Sequence, residues 1–131
     1  MKQPTGILIV EDEFLLAFDL EEIVAGAGYP VVGIVADRKG ADALAIPPSL
    51  ALVDVNLRDG PTGVEIARGL ASRHGTRIIF VTANPDQIEN PPATAIGFIQ
   101  KPYSARTIQN SLGFALTESD ADPPRGLQRL G

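Results

Sequence analysis

The chain has 131 residues, 44% of them hydrophobic, which fits one domain of ordinary size with a real core. Eleven Lys and Arg against sixteen Asp and Glu give a net charge of −5, which argues against a general nucleic-acid binder and favours cations as small partners. The lack of cysteine excludes disulfides and thiolate metal sites, and no apolar stretch approaches the roughly 20 residues needed to cross a bilayer, so a cytoplasmic protein without membrane contact is expected.

Met1-Lys2-Gln3-Pro4 leads straight into the first apolar run, Ile7-Leu8-Ile9-Val10, which ends in Glu11-Asp12. Leu16, Leu20, Ile23, Val24 and Ala27 then form one stripe of a helix that closes near Gly26 and Gly28. Val31 to Ala36 is a β-branched run, and Asp37 can cap a shorter helix reaching about Ile46, before Pro47-Pro48 forbids continuation. A third strand, Leu50-Ala51-Leu52-Val53, runs into Asp54. Thr62-Gly63-Val64-Glu65 has capping-box spacing, with Val64, Ala67, Leu70 and Ala71 facing the core and fraying expected near His74-Gly75.

Ile78-Ile79-Phe80-Val81 runs into Thr82, and Phe98-Ile99-Gln100 into Lys101-Pro102. Between them, Pro85, Pro91 and Pro92 leave room for barely one or two turns, so the fourth helix should be short or irregular. Ser104 can cap a last helix through about Leu116, with Ile108, Leu112 and Ala115 buried. Residues 1–119 read as one domain and 120–131, polar with Pro123-Pro124, as a flexible tail.

Apolar runs without alternation read as strands buried on both faces, hence a parallel sheet covered by helices. In such a sheet functional groups gather at the carboxyl ends of the strands. Three carboxylates (Glu11, Asp12, Asp54), the Thr82 hydroxyl and the Lys101 ammonium would meet on one edge with two net negative charges. A hard divalent cation would cancel them, and few protein carboxylates with room for phosphate and water suit Mg2+, with Mn2+ as substitute.

These residues, in this order at these strand ends, resemble the receiver domains of two-component response regulators over about residues 5 to 117. The resemblance implies a flavodoxin-like, doubly wound, five-stranded parallel sheet of order 2-1-3-4-5. It implies that Asp54 accepts a phosphoryl group from a phosphohistidine on a sensor histidine kinase or a histidine phosphotransfer protein. Asp12 and Asp54 would ligate Mg2+ directly, Glu11 largely through water, and Asn56 by its backbone carbonyl. Thr82 and Lys101 would hold the phosphoryl oxygens, Phe98 would act as the switch aromatic, and Lys101-Pro102 would be a cis peptide. Beyond its own phosphorylation and dephosphorylation, the chain would not be an enzyme.

The chain departs from the common receiver pattern in two places. The loop from Asn56 to Gly63 is one residue longer, with Arg58 where Pro is usual, and the fourth helix is stunted. Both features resemble a subgroup found in alphaproteobacterial regulators, including those of general stress signalling, and they bear on the face that normally docks partners or a second receiver. Homodimerisation through that face is a further expectation. His74, the only histidine, reads as a surface residue, and no glycine-rich phosphate loop is present. A phosphorylation-independent binding module and a Mg2+-dependent aspartyl phosphohydrolase are the alternatives. The hydrolase is disfavoured because Asn56 stands where such enzymes want a second acid.

Overall fold

The computed structural model describes residues 6–117 and 121–130. The four apolar runs are strands, β1 (Ile7–Val10), β3 (Leu50–Val53), β4 (Arg77–Thr82) and β5 (Ala95–Gln100), joined by β2 (Val31–Val35). All five are parallel, and β1 and β3 are buried at every position, as strands covered on both faces must be. Helices α1 (Phe14–Gly26) and α4 (Ala105–Leu116) cover one face, packing Ala17, Leu20, Ile23 and Val24 with Ile108 and Leu112 over Ile7, Ile9, Leu52 and Ile79. Helices α2 (Arg38–Asp42) and α3 (Gly63–His74) cover the other, over Leu8, Val10, Ala51 and Phe80.

The sheet differs from expectation at one edge. Its order is β2-β1-β3-β4-β5-β6, because β6 (Leu127–Gln128) pairs antiparallel with β5. A flexible tail was expected there, but Leu127 is 4% exposed and packs with Ile99, Ile108 and Leu112. Leu127, with the partly buried Leu130 packed against the cluster of the other face, attaches a two-residue strand that has no periodicity to announce it. The expected boundary at 119/120 lies outside the described residues.

Local details follow the chain's own chemistry. Asp37 caps α2 by accepting from the Gly40 N–H, but α2 stops at Asp42, well short of Ile46, which the following proline biases away from helix. Thr62 does not form the expected capping box: its hydroxyl donates to Asp59 Oδ1 at 2.5 Å, and α3 begins without a side-chain cap. The extra loop residue is absorbed by a tight turn in which Leu57 and Gly60 exchange backbone hydrogen bonds, with Gly60 at φ 111°. The prolines reduce the helix expected between β4 and β5 to one 3-10 turn, Pro85–Gln87.

Candidate functional site

The backbone ladder continues past the strands and fixes the residues that follow them. Glu11 N–H donates to Val35 O at 2.9 Å, Asp54 N–H to Val10 O at 2.9 Å, and Lys101 N–H to Thr82 O at 3.0 Å. Gly63 tightens the same edge, since a Cβ there would overlap the carbonyl oxygen of Asp54, so α3 starts against the backbone of this aspartate.

On this frame Glu11, Asp12 and Asp54 each offer a carboxylate oxygen within 4.8 Å of the others. Lys101 Nζ lies 2.7 Å from Glu11 Oε1 and 3.0 Å from Asp54 Oδ2, bridging two carboxylates that are nearly out of contact with water. Burial pushes the Glu11 carboxyl up to about 7; the hydrogen bond from Lys101 opposes this and the nearby Asp54 charge adds to it. Burial also works to lower the Lys101 ammonium, but its hydrogen bonds to Glu11 and Asp54 outweigh that and hold it above the ordinary lysine range. One cation shared between crowded carboxylates leaves the pocket short of positive charge. Its all-oxygen donor set suits a hard divalent ion.

Of the other residues singled out from the sequence, Thr82 is fully buried at the end of β4, and its Oγ1 accepts from the Asn84 N–H at 3.0 Å, which leaves the hydroxyl hydrogen available to donate. The Asn56 N–H points to Asp54 Oδ1 at 3.4 Å, while its side chain donates to Gln87 Oε1 at 2.6 Å. Phe98 is half-buried on β5, paired across the sheet with Phe80 on one side and Gln128 on the other. The Lys101-Pro102 peptide is cis. His74 is exposed at the end of α3.

Two features were not found from sequence. The Asn56 to Gln87 bond joins residues that only the fold brings together. The other is an exposed apolar patch at the start of α1, where Phe14, Leu15 and Phe18 are 65%, 82% and 56% exposed and the two rings stack at 6.4 Å. Its signal is legible in hindsight, because these residues fall off the buried stripe of α1. Beside it, a groove of about 430 Å³ lined by Leu16, Asp19, Ala83, Lys101, Pro102 and Tyr103 opens next to the carboxylates. Tyr103 donates to Asp19 Oδ2 at 3.1 Å, and burial, then this bond, raises its hydroxyl well above the ordinary tyrosine range.

Comparison with known proteins gives this geometry a family. The profile of the response regulator receiver domain matches residues 7–113. The phyllosphere-induced regulator PhyR of Methylorubrum extorquens is 35% identical over 118 residues, 86% of this chain and 43% of that protein. The receiver domain of Erythrobacter litoralis PhyR superimposes with a TM-score of 0.78 at 29% identity, covering 91% of this chain and 95% of that one. The anti-anti-sigma factor PhyR from Bartonella quintana gives a TM-score of 0.73 at 30% identity, over 88% of this chain and 49% of that one. The chain thus spans about half the length of the full-length PhyR proteins it matches. Among the described residues no helix is long and apolar enough to cross a membrane. With the receiver profile matched across most of its length and the acidic pocket at the matching strand ends, this chain belongs to the response regulator receiver domain family, in its PhyR-like form.

Proposed function

We propose that the chain is a phosphoacceptor receiver that takes a phosphoryl group from a phosphohistidine onto Asp54 in a Mg2+-dependent reaction and thereby switches partner binding. The observation that carries this reading is the Lys101 ammonium set between Glu11 and Asp54, with Asp12 completing a three-carboxylate pocket. Asp12 and Asp54, the Asn56 carbonyl and, through water, Glu11 would hold the metal, which supplies neutralising charge for the carboxylates and the equatorial phosphoryl oxygens. Mn2+ should substitute.

Asp54 Oδ attacks phosphorus, the P–N bond to the donor imidazole breaks, and the imidazole nitrogen leaves with the electron pair. Lys101, already within 3.0 Å of Asp54 Oδ2, shifts from carboxylate to phosphoryl oxygen as charge develops there. The Thr82 hydroxyl donates to a second phosphoryl oxygen, and Phe98 on the neighbouring strand is the aromatic that responds. Phe14, Leu15 and Phe18, exposed beside the pocket, offer an apolar surface for the helices of a histidine kinase or phosphotransfer protein.

A cytoplasmic setting suits this role. Because the match covers only half of the Bartonella protein, its anti-anti-sigma activity is not carried over to this chain, and the downstream partner is left as a protein docking near β5 and α4, or a second copy of the chain. An aspartyl phosphohydrolase is disfavoured because Asn56, whose amide neither gives nor takes up a proton, stands where a second acid would be needed, and that amide is held by Gln87. Incubation with a small-molecule phosphodonor and Mg2+ should add one phosphoryl group by intact mass, and Asp54→Asn should abolish it. Multiple turnovers would favour the hydrolase, and no adduct would favour a passive binding module.

A further inference from the structure

The groove filled by β6 is shaped for an incoming strand. Gly97 sits in the middle of β5, yet a Cβ on it would overlap the carbonyl oxygen of Gln128 and press on Leu127 Cδ1 at 3.3 Å. Its φ is not positive, so glycine is needed there for the close approach of a second backbone, not for a special turn. The incoming segment is equally specific. Leu127 fills an apolar socket with Ile99, Ile108 and Leu112, and Gly126, at φ 93°, lets the chain pass Thr107, whose Cγ2 would lie 2.6 Å from a Cβ.

The attachment is nonetheless slight. Only two pairs form, Phe98 with Gln128 and Ile99 with Leu127, and the segment is anchored by one buried side chain, Leu127, and one partly buried one, Leu130, which packs against the core cluster of the opposite sheet face. Segments with so few ladder bonds and buried contacts open locally at low cost. An opened β6 would bare the edge of β5, a row of backbone groups ready to pair with another strand.

We propose that the β5 edge centred on Gly97 is a strand-acceptor site for an extended partner segment of Gly-Leu-polar character, which residues 124–130 of this chain occupy in cis and must vacate. The occupying segment is itself the template for that partner: main-chain pairing supplies affinity, and the leucine socket supplies selectivity. The site is distinct from the carboxylate pocket, and the inference does not depend on phosphorylation of Asp54.

The test uses a fluorescently labelled peptide with the sequence of residues 121–131 and the full chain. Leu127→Asp and, separately, Gly126→Val should eject β6 and bind the peptide roughly tenfold or more tightly than the unsubstituted chain, whose own segment competes. Adding Gly97→Ala to either variant should abolish peptide binding while cooperative melting is retained. Folded open variants that ignore the peptide, or binding that survives Gly97→Ala, would overturn the proposal. So would unfolding of both open variants, which would make β6 an integral part of the core.

Discussion

Replacing Lys101 by Met tests the pocket's electrostatics without changing side-chain length much. Lys101 is the cation within hydrogen-bond distance of both Glu11 and Asp54, which are 3% and 9% exposed, so the substitution leaves two buried carboxylates without their counter-charge. Removing one partner of a buried ion pair costs about 3–5 kcal/mol, and the low end, about 3 kcal/mol, applies because Glu11 can take up a proton in response. At roughly 4 °C per kcal/mol for a domain of this size, Lys101→Met should melt about 12 °C below the parent at pH 8 in chelator. At pH 5.5 one carboxylate is already neutral, and the deficit should shrink to under about 2 kcal/mol. Saturating Mg2+ should raise the melting temperature of the variant more than that of the parent, because the ion then meets a full three negative charges. Thermal melts by circular dichroism at the two pH values, with and without Mg2+, measure all of this. A variant within 2–3 °C of the parent at pH 8 without metal would refute the reasoning, since deviations that small belong to ordinary surface substitutions.

Three further outcomes are expected. Asp12→Asn in metal-free buffer should melt above the parent by relieving repulsion with Glu11 and Asp54, while losing the Mg2+-induced rise; a lower melting point without metal would count against a clustered site. In the metal-free parent, the Glu11 carboxyl releases its proton near the ordinary 4.5 when unfolded but only near 7 when folded, so the stability linked to it is complete below about pH 4.5 and is lost as pH rises through 7. Urea midpoints between pH 5 and 8 should therefore fall, and Glu11→Gln should flatten that slope. Phe18→Ser should change stability by no more than about 0.5 kcal/mol, yet slow phosphoryl transfer from a cognate histidine kinase and leave transfer from a small phosphodonor untouched.

What the sequence revealed and what it hid divide along physical lines. The parallel strands were legible because burial on both faces demands unbroken Ile, Leu and Val, and the pocket followed because strand ends carry the chemistry in such sheets. The shortened fourth helix was legible because proline acts locally. Thr62 misled because a capping box and a side-chain bond to Asp59 look alike until the longer loop brings Asp59 within reach. The start of β5 was missed at Ala95-Ile96-Gly97, where glycine reads as a break and in fact admits a neighbouring backbone. β6 was missed because two residues and one leucine carry no period. The apolar patch on α1 was hidden by treating the helix as a single stripe.

The central claim is that Asp54, held beside Lys101 in a cation-seeking pocket, is the residue that takes up phosphate. Treating the chain with a small phosphodonor and Mg2+, then reducing the acyl phosphate with borohydride, converts a phosphorylated aspartate to homoserine that peptide mass spectrometry can locate. Homoserine at position 54, lost when Mg2+ is chelated, is the predicted result. A label at another residue, or an equal yield at position 54 without divalent metal, would contradict the account.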